Sequence, residues 1–163
     1  MTDFYDSTQP AKIPHGLACL YADGDYQAGT ADLDGFSGIK WITVLGSQWA
    51  QIADFERGNA VYEVPGRLQA WAGGMCHQGV MPIVYCGRAN LHQAITALGD
   101  TPRLLWIPTL DGVQRTLAGL VAWVADGGVV VDPAHVWACQ YAGGVSAAYD
   151  TSVLYGSWTT ATP

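Results

Sequence analysis

An α/β fold is expected from this sequence, and within that class a compact, irregular β/α barrel with few and short helices. Three observations point there. Short apolar runs recur with turn residues between them, the middle of the chain alternates strand, helix and strand, and acidic residues stand at the ends of several runs. Alternation of this kind implies parallel pairing through crossover helices. Seven or eight strands in 163 residues leave little room for a full helix after each. The competing architecture is an open doubly wound sheet. Its nucleotide-binding versions lose their main support because no G-x-G-x-x-G or G-x-x-x-x-G-K-[ST] follows any strand. The absence of a G-x-S-x-G elbow likewise disfavours an α/β-hydrolase.

The elements follow in order. Asp3–Ser7, Leu17–Ala22, Lys40–Leu45 and Gln51–Phe55 read as the first four strands. Pro65–Met75 reads as a helix: Pro65 suits a first turn, and Leu68, Trp71, Ala72 and Met75 recur at i, i+3, i+4 and i+7. Met81–Cys86 is the next strand. In Ala89–Leu98 the residues Leu91, Ala94, Ile95 and Leu98 again mark one helical face, and Gly99 follows as a stop. Arg103–Pro108 and Val136–Tyr141 are the last two strands assigned. Leu117–Val131 fits a helix through Leu117, Leu120, Val121 and Val124. Asp126-Gly127-Gly128 between Val-rich flanks also fits a hairpin, which is the expectation adopted. No internal repeat, linker or low-complexity tract divides the chain, so residues 1–163 are read as a single domain.

Composition narrows the function classes. Half the residues are hydrophobic and 13% are charged, against about 25% charged in an average domain. Net charge is −7, and the cations Lys12, Lys40, Arg57, Arg67, Arg88, Arg103 and Arg115 are scattered. No basic stripe exists for a phosphate backbone, which argues against nucleic acid as a partner. The acidic start, Met1 to Asp6, lacks the basic and apolar regions of a signal peptide. The longest apolar stretch, Leu117 to Ala125, falls well short of the ~20 residues that span a bilayer, so no membrane insertion is expected. Cys19, Cys76, Cys86 and Cys139 form no C-x-x-C pair, and Cys19, Cys86 and Cys139 lie in apolar runs, as buried free thiols would. His15, His77, His92 and His135 are each isolated. The expectation is no metal and no cofactor.

The acids carry the chemistry. Two Glu, Glu56 and Glu63, stand beside twelve Asp. Asp54-Phe55-Glu56 ends the apolar run Ile52-Ala53, and residues two apart on a strand project to one face. That spacing places Asp54 and Glu56 side by side, with Cα atoms about 6.5–7 Å apart and Phe55 packed on the other side. Two carboxylates so close interact, and one should hold its proton towards neutral pH, as a general acid must. Asp6, Asp23, Asp25 and Asp111 end other runs. In a barrel such strand ends share one mouth, where active sites sit.

Asp6-Ser7-Thr8-Gln9, Ile52 to Glu56, Pro82-Ile83-Val84-Tyr85, Leu105-Trp106-Ile107, Trp137 to Tyr141 and Asp150-Thr151-Ser152 follow one another in a fixed order. That order resembles the Chalaropsis-type (family 25) lysozymes. Through Tyr21 to Asp25 and Trp41 to Val44 the chain is also similar, over nearly its whole length, to glycoside-hydrolase-like proteins of actinobacterial phages. The resemblance implies a TIM-like barrel that cleaves the glycan of peptidoglycan, a muramidase-type reaction. It implies Glu56 as general acid and Asp54 as the carboxylate that stabilises positive charge, with Asp6 and Asp150 as further acids of the site. It implies Tyr85, Trp106, Trp137 and Tyr141 as aromatics lining a saccharide groove, where ring faces bury the apolar side of a sugar. For Trp106 and Trp137 core packing is the equal alternative. Asp23 and Asp25 are candidates for binding substrate, with a cation site or a loop cap as alternatives. The compressed first motif, Ser152 in place of the family's Asn, the short chain and the lack of a wall-binding module depart from the pattern. They open a second expectation, a non-catalytic structural or glycan-binding part of a virion held by other virion proteins. In either case the expected history is synthesis in the host cytoplasm, then action at the cell wall after phage-mediated release or as part of the particle.

Overall fold

Eight strands close into a barrel in chain order in the computed structural model, which describes residues 1–29, 33–143 and 147–159. They are β1 (Thr2–Asp6), β2 (Leu17–Tyr21), β3 (Gly38–Thr43), β4 (Ile52–Asp54), β5 (Ile83–Tyr85), β6 (Leu104–Pro108), β7 (Val136–Ala142) and β8 (Asp150–Leu154). Neighbours from β1 to β7 pair in parallel. The last strand, β8, runs antiparallel to both β7 and β1 and closes the ring. Each of the seven expected runs overlaps one of β1 to β7, with ends moved by at most two residues. The eighth strand begins at Asp150, in a segment read only as a motif.

Strand periodicity divides the side chains into an interior and an exterior set. Phe4, Cys19, Ile42, Ile52, Ile83, Trp106, Trp137, Ala138 and Leu154 form one buried cluster. A cluster drawing on every strand of a closed ring fills its inside, so the barrel is a packed core and not a pore. The alternate residues Ala53, Val84, Leu105, Ile107, Cys139 and Val153 point outward and join the helices in a second cluster. A bulge sets Leu105 opposite Val136 but Trp106 opposite Ala138, which makes Trp137 the extra residue of β7.

Four helices follow the middle strands: α1 (Ala60–Glu63), α2 (Arg67–His77), α3 (Leu91–Leu98) and α4 (Leu117–Asp126). The expected face of α2 is buried through Leu68, Trp71, Ala72 and Met75. Pro65 lies just ahead of the helix, because Gly66 takes φ 76° there and turns the chain. In α3, Leu91, Ala94 and Leu98 are buried and Gly99 ends the helix. The connections over residues 7–16 and 44–51 are too short for a crossover helix. Loops cover that side instead, with Ile13, Ala18 and Leu20 packed under Tyr5, Phe36, Ile39 and Trp41.

The expected hairpin over Leu117–Val131 is corrected: residues 117–126 are α4. Thr116 caps it by accepting a hydrogen bond from Gly119 N at 3.1 Å. Leu120 and Val124 are buried against the barrel. Asp126-Gly127-Gly128 is a helix stop, with Gly128 N donating to Ala125 O at 2.8 Å. Helical periodicity prevails because burial of an apolar stripe in the outer core outweighs a local turn preference.

Cys19, Cys86 and Cys139 are buried free thiols, and Cys76 is free and half-buried. No helix among the described residues is long and apolar enough to cross a membrane.

Candidate active site

The C-terminal ends of the parallel strands surround an open cavity of about 530 Å³. Its floor and walls carry Asp6 from β1, Tyr21 from β2, Asp54 from β4, Tyr85 from β5 and Gln140 from β7, with Glu56 just beyond β4 and Asp150 at the start of β8. Four carboxyls therefore meet in one mouth.

The β4 end behaves as strand alternation requires. Phe55 N donates to Tyr85 O at 2.8 Å, extending the ladder by one residue. The Phe55 ring turns away into the outer core, 2% exposed and 4.9 Å from Tyr62. Asp54 and Glu56 both turn into the cavity. Asp54 is buried at the floor, whereas Glu56 is half-buried and nearer solvent. The chain then turns at once, with Asn59 N donating to Glu56 O at 3.1 Å.

Burial is the main electrostatic force here. It pushes the Asp54 carboxyl up to about 7, the charge on Glu56 adds to the rise, and hydrogen bonds from Asn59 and Tyr21 oppose it. Burial also raises Glu56, with Asp150 adding to it. Asp6 is held well above the ordinary carboxylate range by burial, then by Asp150 and Asp54. It lies directly opposite Asp150 in the antiparallel β1–β8 pair, where like charges repel. One oxygen of Asp6, one of Asp54 and Oε1 of Gln140 are buried without a hydrogen-bond partner. Among the described residues, no Lys or Arg forms an ion pair with Asp6, Asp54 or Glu56. The hydroxyls of Tyr21 and Tyr85 are driven well above their ordinary range by burial and the surrounding carboxylates, so both stay protonated donors. Gly143, at φ 128°, makes space for the fourth acid: a Cβ there would stand 2.8 Å from Asp150 Cα.

Of the residues singled out in the sequence, Asp6, Asp54, Glu56, Asp150, Tyr85 and Trp106 line this cavity. Trp106 does so from beneath, fully buried, with Nε1 donating to Ser152 Oγ at 3.0 Å and its ring packed on Phe4 and Tyr85. It therefore supports the floor and offers no open face. Four of the residues singled out, Trp137, Tyr141, Asp23 and Asp25, lie outside the cavity lining, and for Trp137 and Asp23 the alternatives of core packing and a loop cap hold. Trp137 is core, stacked among Phe4, Trp106 and Trp158, with Nε1 donating to Ser157 O at 3.0 Å. Tyr141 packs against the outer cluster, because alternation along β7 turns Gln140 inward and Tyr141 outward. Asp23 is a loop cap: it accepts hydrogen bonds from Thr43 Oγ1, Ser47 Oγ, Val44 N at 2.8 Å and Leu45 N at 3.1 Å. Burial pushes the Asp23 carboxyl up, but these four donors outweigh it and hold the group below its usual range. Asp25 is exposed and lies outside the cavity lining. Among the described residues, no group of three or more His, Cys, Asp or Glu is placed to hold a metal ion.

Tyr21 and Gln140 were not picked out individually. Gln140 had a signal, as the lone amide in the apolar run Val136–Tyr141. Tyr21 had a weaker one, its even spacing from Cys19 on the same strand face.

No family model matches the chain, and no curated protein matches it. Among solved structures the chain is similar to a muramidase from Acremonium alcalophilum, at 11% identity and a TM-score of 0.45, over 98% of this chain and 96% of that one. What the site can do follows from its own geometry.

Proposed function

We propose that the barrel mouth is a glycosidase site that cleaves the glycan of bacterial peptidoglycan, with Glu56 as the proton donor. The observation that carries this reading is the pair Asp54 and Glu56, side by side in an open cavity and both holding protons above the ordinary carboxylate range. Interacting carboxyls titrate together, and here the charge on Glu56 is one cause of the rise at Asp54. Positive charge developing at the anomeric carbon favours the arrangement in which buried Asp54 is charged and Glu56 keeps the proton. Glu56 is the member nearer solvent, where a glycosidic oxygen can reach it.

In the reaction, the Glu56 proton passes to the glycosidic oxygen and the bond from that oxygen to the anomeric carbon breaks. Asp54 stabilises the cationic centre, with Asp6 and Asp150 in the same mouth. Water adds its hydroxyl to the anomeric carbon, and its proton restores the acid pair. Tyr21 and Tyr85 supply neutral donors for sugar oxygens. The peptidoglycan substrate and the phage setting come from the sequence resemblance, and the four-acid mouth supports the glycosidase reading alone.

Purified protein is expected to release reducing ends from actinobacterial peptidoglycan. Glu56→Gln is expected to lower that rate by about 10²–10⁴-fold, the usual contribution of a positioned general acid. No release from any such wall preparation by the unaltered chain would overturn the reading.

A further inference from the structure

Among the described residues, Leu110 is the one non-glycine residue with a left-handed backbone, at φ 54°. A branched side chain is disfavoured there, because its Cβ crowds the following carbonyl oxygen. Burial does not explain it, since Leu110 is 48% exposed. It sits on the cavity rim.

The loop after β6 imposes this conformation from both sides. Thr109 N and Leu110 N both donate to Gln140 O, at 2.8 and 3.4 Å, and Gly112 N donates to Tyr141 O at 2.8 Å. Asp111 accepts two hydrogen bonds from Arg115, which also donates to Thr109 Oγ1 at 3.2 Å. Gln114 Nε2 donates to Asp3 Oδ1 at 3.1 Å and ties the loop to β1. A rigid loop thus holds a strained, exposed leucine at the edge of the acid cluster. Such strain, sustained by its surroundings, marks positions kept for a ligand.

Among the described residues, the other large exposed apolar side chain lining the cavity is Tyr26, 56% exposed, on the loop after β2. In an eight-stranded ring β2 and β6 are four strands apart, so the two loops face each other across a diameter of the mouth. Tyr26 packs edge-on against Tyr21 at 5.8 Å, and Tyr21 in turn hydrogen-bonds Asp54. Asp54 and Glu56 follow β4, midway round the ring between β2 and β6.

We infer that Leu110 and Tyr26 are the opposed apolar walls of a saccharide cleft crossing the mouth, each seating a pyranose on one side of the bond held over Asp54 and Glu56. This rests on the glycosidase reading and adds to it the direction in which the glycan lies and the residues that grip it. A sugar face or an N-acetyl methyl group against each wall leaves water on binding, which supplies affinity without any role in the chemistry.

The test is calorimetric binding of a peptidoglycan tetrasaccharide, measured in the Glu56→Gln background so that the probe is not consumed. Leu110→Gly removes the wall and relieves the backbone. It is expected to weaken binding about five- to tenfold, the loss of one apolar contact, while the melting temperature stays level or rises. Tyr26→Ala is expected to weaken binding by a similar factor, and the two losses should multiply in the double variant, since the residues do not touch. Tyr26→Phe should bind as the parent does. Unaltered affinity in Leu110→Gly overturns the cleft. Hydrolysis of cell walls by the unaltered chain, with affinity unmoved in Leu110→Gly, overturns the cleft alone. Weakened affinity in that variant with no hydrolysis by the unaltered chain overturns the glycosidase reading and leaves the cleft standing.

Discussion

Asp54 ends β4 with one carboxyl oxygen unpartnered and its proton held to about 7, so its charge state couples the site to the stability of the whole chain. The unfolded carboxyl releases its proton near 3.8, its ordinary value. Between those two values the folded state binds the extra proton, and stability therefore falls as pH rises through that window. The cost of the charged form is about 4 kcal/mol. Asp54→Asn mimics the protonated carboxyl and carries no charge. It is expected to raise the melting temperature at pH 8 and to leave it nearly unchanged at pH 4, read by thermal unfolding at both. An equal effect at the two pH values would contradict the assignment. Stability and catalysis make opposite demands on this residue, since the charge that strains the resting site is the one a cationic transition state needs. That Asp54 and Glu56 share a face was legible from two-residue spacing alone. Asp54's greater burial was not, because the depth of a strand end depends on the strands beside it.

At the scale of elements, periodicity was legible wherever an apolar stripe faced the barrel. The stripe of α2 is buried as its spacing requires, through Leu68, Trp71, Ala72 and Met75. The α4 segment offered two local signals, and only packing chose between them. Its start depends on the Thr116 side chain, which satisfies Gly119 N. Thr116→Ala should cost about 1 kcal/mol. In a domain of this size that lowers the melting temperature by about 2–4 °C, with the far-ultraviolet circular dichroism of the native state unchanged. No loss would mean that burial of Leu120 and Val124 sets the helix start by itself. Along β7 the same two-residue period corrects the aromatic assignments: Gln140 faces the cavity and Tyr141 faces the outer cluster. The bulge that adds Trp137 to β7 has no mark in local sequence, because it exists only relative to β6.

The whole molecule is a ring, and closure is the property that no single segment holds. With β8 paired to both β7 and β1, the interior cluster cannot open without breaking contacts on every strand. Unfolding in urea is therefore expected as one transition, with tryptophan fluorescence and far-ultraviolet circular dichroism giving the same midpoint. Trp106 and Trp137 report the interior, so separate midpoints would show that the helical side and the loop-covered side come apart independently. The ring also creates the site. Asp6, Asp54, Glu56 and Asp150 come from residues 6 to 150 of the chain and meet because parallel strands bring their C-terminal ends to one mouth, while β8 arrives from the opposite direction with Asp150 first.

By itself the sequence determined the first seven strands, the apolar faces that α2 and α3 bury, and that Asp54 and Glu56 stand together. Each of these depends on spacing within a few residues, where backbone geometry is local and fixed. Only the tertiary structure decided that α4 is a helix and that Trp137 and Tyr141 leave the site to Tyr21 and Gln140. It also decided that the loops carrying Leu110 and Tyr26 leave strands on opposite sides of the ring. Those outcomes turn on which strand lies beside which, and on the free energy of burial and desolvation, which are properties of the closed barrel.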